Sequence, residues 1–217
     1  MVDYENIELG QFSSSNLWGF PDILPQEYDT EVKWQRFNFC YGDRRKDKTD
    51  TGVHFMMYDS LFTRVWNNPK EYNRMLGEYG FLCAPDFSAF GDWADALSLY
   101  NHYRKQWLAR YWQEQGFKVL PKVNFLLPQH WEWCFDGIPK ESAIVVSTVG
   151  NVRNREEREL FVKGYDHMKS VLNPSQILVY GKVLPCMDND NIVWMGDYNT
   201  EMERRGHKNG NRSEKQD

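Results

Sequence analysis

Three groups of residues in this 217-residue chain have the types and spacing to do chemistry. Asp59 and Asp86 each follow a short apolar run, and Ser60 and Ser88 stand close behind them. Two carboxylates brought to neighbouring positions can hold Mg²⁺ through oxygen ligands. They can also divide acid and base roles if their surroundings separate their pKa values. Either Asp can instead cap the helix that follows it. Asp86 is the stronger candidate, because Pro85 stiffens the chain before it and the expected helix cap, Asp92, lies further on.

The second group is Ser147-Thr148-Val149-Gly150-Asn151, which leads from an apolar run towards a helix start at Asn154. Small hydroxyls and a glycine ahead of a helix N-terminus suit an anion, since free amides and the helix dipole point at it. Arg153 and Arg155 add positive charge. Neither the G-x-x-x-x-G-K-[S/T] nor the G-x-G-x-x-G pattern is present. The third group is Trp131-Glu132-Trp133, where an indole can stack on a sugar or base while Glu132 hydrogen-bonds it. The competing reading turns Trp131 and Phe135 inward and leaves Glu132 in water. Asn124 and Lys182, at the ends of two further apolar runs, complete the polar set. The candidate catalytic residues are therefore Asp86, Asp59 and Glu132. The candidate ligand-binding residues are Ser88, Asn124, Ser147, Thr148, Gly150, Asn151, Trp131 and Lys182. No G-x-S-x-G elbow, H-E-x-x-H pair, EF-hand loop or kinase motif set occurs. No metal-ligand set is assigned. The five His are scattered, and Cys40, Cys83, Cys134 and Cys186 form no C-x-x-C pair. No cofactor is identified, with Mg²⁺ the one candidate.

What must position these residues is an alternation of strand and helix signals. Strands are expected at 37–41, from Val53 to Tyr58, at 81–84, from Val119 to Phe125, at 143–147 and at 177–180. Pro121 suggests an edge or a bulge in the fourth of these. Helices are expected from Asn68 to Gly80, from caps at Asp92 and Asp95 to Gly116, and from Asn154 to Pro174. In the long middle helix, Trp93, Ala96, Leu97, Tyr100, Trp107, Leu108 and Tyr111 are expected to mark the buried face. Residues 42–52 read as a polar loop in which Asp43, Asp47 and Asp50 largely cancel the basic residues. Near-continuous apolar strands joined by amphipathic helices indicate an α/β fold. Its sheet is mostly parallel, with about five to six strands and helices on both faces, either open or an incomplete (β/α) barrel. The expected organisation is an N-terminal surface segment (1–34), one α/β domain (35–187) and a polar C-terminal extension (188–217), disordered from about 203. In such folds the carboxyl ends of the strands form the ligand crevice, and the polar set reads off those ends.

Composition narrows the function classes. Apolar residues at 41% and aromatics at 16% supply a core and exclude global disorder. A net charge of −5 argues against broad, charge-driven coating of nucleic acid. No apolar run approaches the ~18 residues of a membrane span, so no membrane association is expected. The first ten residues are acidic and without a basic residue, unlike a secretory or transit peptide. Free cysteines in apolar segments point to reduced thiols and a cytoplasmic setting.

Arg64-Val65-Trp66-Asn67-Asn68-Pro69, Pro85-Asp86-Phe87-Ser88, Phe135-Asp136-Gly137-Ile138-Pro139, Ser147-Thr148-Val149-Gly150 and Tyr180-Gly181 occur in an order that resembles a domain-of-unknown-function family. That family is found in bacteria, phages and mobile elements, and the resemblance covers roughly residues 35–185. It implies an accessory gene of a phage or mobile element and transfers no catalytic assignment. Three functional readings follow. The first is a ligand or catalytic crevice at the strand ends, for binding or metal-assisted hydrolysis of a nucleotide-like or sugar-like small molecule. The second is an interaction protein that binds or inhibits a host protein, drawing on the aromatic excess. The third is a nucleic-acid-associated factor using the 44–48 loop and the tail, which the net charge makes the weakest.

Overall fold

Seven short parallel strands organise the computed structural model, which describes residues 4–125 and 127–206. β1 (Lys33–Arg36), β2 (Lys48–His54), β3 (Tyr79–Cys83) and β4 (Val119–Leu120) form one sheet in that order. β5 (Ala143–Ser147), β6 (Gln176–Tyr180) and β7 (Ile192–Gly196) form a second. Every pairing is parallel. The two open sheets meet edge to edge past Pro121, where Lys122 bridges to Val145. Val145 N–H donates to the Pro121 carbonyl at 2.8 Å, and Val123 N–H donates to the Val145 carbonyl at 2.9 Å. Pro121 can accept there but cannot donate, so the joint is a brief seam rather than a continued ladder.

The inward side chains of both sheets meet in one cluster. Trp34, Phe81, Cys83, Leu120, Val145, Leu178, Tyr180 and Met195 are all buried in it. Gly52 of β2 makes room: a Cβ there would lie 2.7 Å from the Trp34 ring. The alternate residues face outward under helices. Val53 and Leu82 pack with α1 (Thr63–Asn67), α2 (Pro69–Leu76) and the second half of α3 (Asp95–Glu114). Ile144, Val146, Ile177 and Val179 pack under Phe161, Tyr165, Met168 and Leu172 of α4 (Arg155–Leu172). α4 begins and ends as its sequence requires. Asn154 Oδ1 accepts from Glu157 N–H at 2.8 Å, the Glu157 carboxylate accepts from Arg153 N–H at 2.8 Å, and Asn173 closes the helix at φ 44° before Pro174.

Several elements differ from the sequence expectation. Residues 37–42 form a 3₁₀ turn, not a strand: Phe37 and Cys40 are buried at its three-residue spacing. The strand lies just before it, masked by the charged ends of Lys33-Trp34-Gln35-Arg36. β2 starts inside the expected polar loop, at Lys48, and ends at His54. The bland reading of that loop matches the geometry, because Arg45 is tied to Asp43 at 2.7 Å and to Asp50 at 3.2 Å. α2 stops at Leu76, four residues before Gly80. α3 starts at Asp95 with Ala94 before it and no side-chain cap, so Asp92 does not cap it. Within the expected polar extension, β7 is followed by α5 (Tyr198–Arg204), whose Glu201 is buried. Within the expected surface segment, Phe20, Ile23 and Val32 are buried. The far C-terminal residues, 207–217, lie outside the described residues. Cys40, Cys83 and Cys134 are free and buried, and Cys186 is free and half-buried. Among the described residues no helix is long and apolar enough to cross a membrane.

Candidate functional site

The carboxyl ends of β3 and β4 and the inner face of α3 bring charged groups together out of water. Asp86 follows β3 and accepts from Asn124 Nδ2 at 2.9 Å, while Lys122 Nζ lies 3.3 Å from the same oxygen. Lys122 is 3% exposed and also donates to Asn124 Oδ1 at 2.6 Å and to the Val123 carbonyl at 3.1 Å. A second lysine, Lys105, projects from α3 and is 2% exposed. It has no hydrogen-bond partner among the described residues. Burial, with the nearby Lys122 ammonium, pushes its pKa down to about 7, and Asp86 offsets part of that.

Lys105 lines a pocket with Phe87, Ala89, Ser98, Asn101, His102 and Asn124. The pocket is small and partly open, with about 210 Å³ of empty space when the adjoining solvent is included. Its room is about that of one water. Ser98 Oγ is buried without a hydrogen-bond partner. Asn101 donates to the Ser88 carbonyl, which ties α3 to the loop after β3. His102 is buried, and its Nε2 donates to the Asp136 carbonyl at 3.0 Å. Burial keeps that imidazole neutral, far below its usual pKa.

The other sequence candidates take different places. Asp59 accepts from Ser88 N–H at 3.1 Å and from Ser88 Oγ at 2.9 Å, so the two hold the 86–91 loop rather than open onto the pocket. The 147–151 turn is closed on itself. Ser147 Oγ accepts from Val149 N–H at 3.2 Å, and Asn151 Nδ2 donates to the Ser147 carbonyl at 3.1 Å. Thr148 Oγ1 donates to the Lys182 carbonyl at 2.9 Å, the Lys182 side chain is exposed, and Gly150 supplies φ 79°. With Asn154 and Glu157 capping the amides of α4, this turn offers an anion little. Trp131 stacks on His167 at 4.4 Å and Phe135 packs on the same ring, while Glu132 is exposed. The inward-packing reading of that triplet matches the geometry.

A second buried network sits at the carboxyl ends of β1, β2 and β6. His54 Nδ1 accepts from Met56 N–H at 3.2 Å, which leaves Nε2–H to donate to Glu201 Oε1 at 2.7 Å. Arg36 lies 3.5 Å from the other Glu201 oxygen and donates to Tyr180 Oη at 3.3 Å. Lys105, His102, Ser98, Lys122, His54 and Glu201 were not among the sequence candidates. For α3 a signal was present: counting back from Trp112 and Leu108 in helical steps gives Lys105, Asn101 or His102, and Ser98. Among the described residues no group of three or more His, Cys, Asp and Glu could hold a metal ion.

A family model described as "Domain of unknown function (DUF4417)" matches residues 12–199. The chain is 29% identical over 194 residues to the Gene 1 protein of Mycobacterium phage D29, covering 89% of this chain and 71% of that one. Its identity to the Gene 1 protein of Mycobacterium phage L5 is also 29% over 194 residues, covering 89% of this chain and 84% of that one. No solved structure matches the chain.

Proposed function

The chain belongs to the DUF4417 family, and from that premise we propose that it is a cytoplasmic phage accessory protein that binds a small anionic ligand, nucleotide-like or sugar-like, at the carboxyl ends of β3 and β4. The observation that carries this reading is Lys105, a buried lysine that lines a pocket and has no hydrogen-bond partner among the described residues. A buried ammonium is costly unless something pairs with it, and a phosphate or carboxylate entering the pocket supplies that partner. Lys122 adds a second positive charge behind Asn124, and Asp86 fixes both by hydrogen bond or ion pair. The pocket has room for about one water, far below the ~300 Å³ lower end of drug-sized sites, so the body of the ligand lies outside it. Phe90 and Trp93, exposed in the stretch of chain between the lining residues Ala89 and Ser98, offer rings for a base or sugar. The metal-assisted form of this reading lacks support, because Asp86 faces Lys122 and Lys105, and two ammonium groups repel a divalent cation.

A thermal-shift series with inorganic phosphate, nucleoside monophosphates and sugar phosphates tests this reading. A ligand at 100 times its Kd stabilises the native state by about 2.7 kcal/mol, a rise of about 5–11 °C for a chain of this size. The expected result is a shift in wild type that is lost in Lys105→Met and weakened in Asp86→Asn. A shift of equal size in Lys105→Met, or none with any of these anions, removes the reading.

The host-protein alternative draws on one specific observation: Phe90, Trp93, Leu97 and Tyr100 are all exposed around the start of α3. If that patch binds a protein, Trp93→Ser should abolish co-purification and leave the anion response intact. Against the nucleic-acid alternative, Arg45 of the 44–48 loop is held by Asp43 and Asp50.

A further inference from the structure

We propose that Lys105 is an amine nucleophile that forms an imine with the carbonyl carbon of a small anionic aldehyde or ketone. This deepens, and rests on, the reading of the pocket as an anion site. The geometry has three parts. Lys105 is 2% exposed and makes no hydrogen bond among the described residues, so none of them engages its lone pair or its protons. It lines a small, partly open pocket together with Ser98, Asn101, His102 and Asn124. A second ammonium, Lys122, lies near it and is anchored by Asn124, Asp86 and the Val123 carbonyl, so a fixed positive charge near Lys105 favours an anionic molecule.

A lysine in an apolar setting beside another cation is activated by loss of its proton. The groups facing Lys105 are Lys122, Asp86, His102, Cys83 and Cys134. Both thiols are pushed up by burial and stay protonated, and His102 stays neutral. A pKa of about 7 leaves about half of Lys105 as free amine at pH 7, against about one in a few thousand for an ordinary lysine. The free amine adds to the carbonyl carbon, forming a C–N bond as the carbonyl electrons move to oxygen. The nitrogen passes its proton to that oxygen, and Ser98 Oγ, buried and unpartnered, is placed to hydrogen-bond the resulting hydroxyl. Loss of one water then leaves the C=N bond. Nothing is oxidised or reduced.

Reductive trapping tests this on the full chain. Glyoxylate, which joins an aldehyde to a carboxylate, is added at pH 7 with cyanoborohydride, and the modified lysines are located by peptide mass mapping. The expected result is labelling of Lys105 at least tenfold faster than Lys140 or Lys182, slowed by inorganic phosphate and absent at that position in Lys105→Arg. If folded wild type labels Lys105 no faster than those surface lysines, imine formation is overturned. Thermal stabilisation by phosphate, measured on the same sample, separates the two readings. If phosphate still stabilises, the anion site stands without the imine. If phosphate gives no shift and Lys105 does not label, both fall.

Discussion

Raising the pH from 7 to 9 should stabilise the fold through Lys105, the reverse of what a surface lysine does. In the unfolded chain this lysine titrates near its ordinary 10.5, and in the fold near 7. Below pH 7 both states carry the proton and the full burden of a buried ammonium falls on the native state. Between about 7 and 10.5 the native state has released the proton and the unfolded state still holds it, so stability rises with pH. Because Lys105 is already half deprotonated at pH 7, the first unit contributes about 1 kcal/mol and the second about 1.3, which gives about 2.3 kcal/mol over the two and a rise in Tm of about 5–9 °C. Stopping at pH 9 matters. Cys40 is pushed up to about 11 and Cys134 to about 12, and such buried thiols lower stability once their unfolded counterparts ionise near 9. The assay is urea unfolding at pH 6, 7, 8 and 9 for wild type and Lys105→Met, which keeps the length and removes the charge. The wild-type curve should climb, and the variant should be flatter by most of that roughly 2.3 kcal/mol and more stable than wild type at pH 7. Parallel curves would refute the claim that Lys105 is buried with a lowered pKa.

Other substitutions probe the frame that holds the pocket. Glu201→Ala leaves His54 and Arg36 facing an uncompensated space at the carboxyl ends of β1 and β2. It should cost about 3–5 kcal/mol by chemical denaturation, and a loss below 1 kcal/mol would show the network to be dispensable. Gly80→Ala should abolish folding or soluble expression, because the new Cβ would lie 2.1 Å from the Thr49 carbonyl oxygen on the paired strand, whereas Gly42→Ala meets nothing within 4 Å and should be tolerated. Asn154→Ala removes the cap of α4 and should cost about 1 kcal/mol, read as a lower urea midpoint. In native protein at pH 8, iodoacetamide should label half-buried Cys186 first and leave fully buried Cys83 untouched until unfolding.

The α/β class was legible in the sequence because its best-formed unit is locally consistent. β5 is a β-branched run, α4 carries a capping box and a left-handed Asn ahead of Pro174, and β6 is apolar from Ile177 to Tyr180. β1 and β7 escaped notice for a common reason. β1 has one buried residue, Trp34, between polar neighbours, and Trp194 of β7 is exposed. Both lie at sheet edges, where one side of the strand has no ladder partner and the burial pattern weakens. The 3₁₀ turn at 37–42 was misread because Phe37, Phe39 and Tyr41 alternate, whereas the buried pair is Phe37 and Cys40.

The strand-end rule located Asp86, Asn124, Ser88 and Asp59, and two pairs among them do meet: Asp86 with Asn124, and Asp59 with Ser88. It had no access to the helix opposite, because a helix contributes to such a crevice by its face and not by its end. On α3 the aromatic residues of the first half were expected inside. Instead Trp93 just before the helix, then Leu97 and Tyr100, stand exposed while Ser98, Asn101, His102, Lys105 and Gln106 are buried. Both halves of that inversion are unfavourable. Apolar area left in water forgoes about 25 cal/mol per Å², and a buried lysine without a hydrogen bond is penalised further. Along the second half of the same helix Trp107, Leu108, Tyr111 and Trp112 obey the ordinary rule, so the orientation is set there and the polar stripe is carried inward by a rigid extension of it. A stretch that breaks the burial rule on both faces, on a helix otherwise well packed, is where a local cost is retained for something other than stability. That stretch lines the pocket where Asn124 sits and faces Asp86, which the strand ends had already picked out.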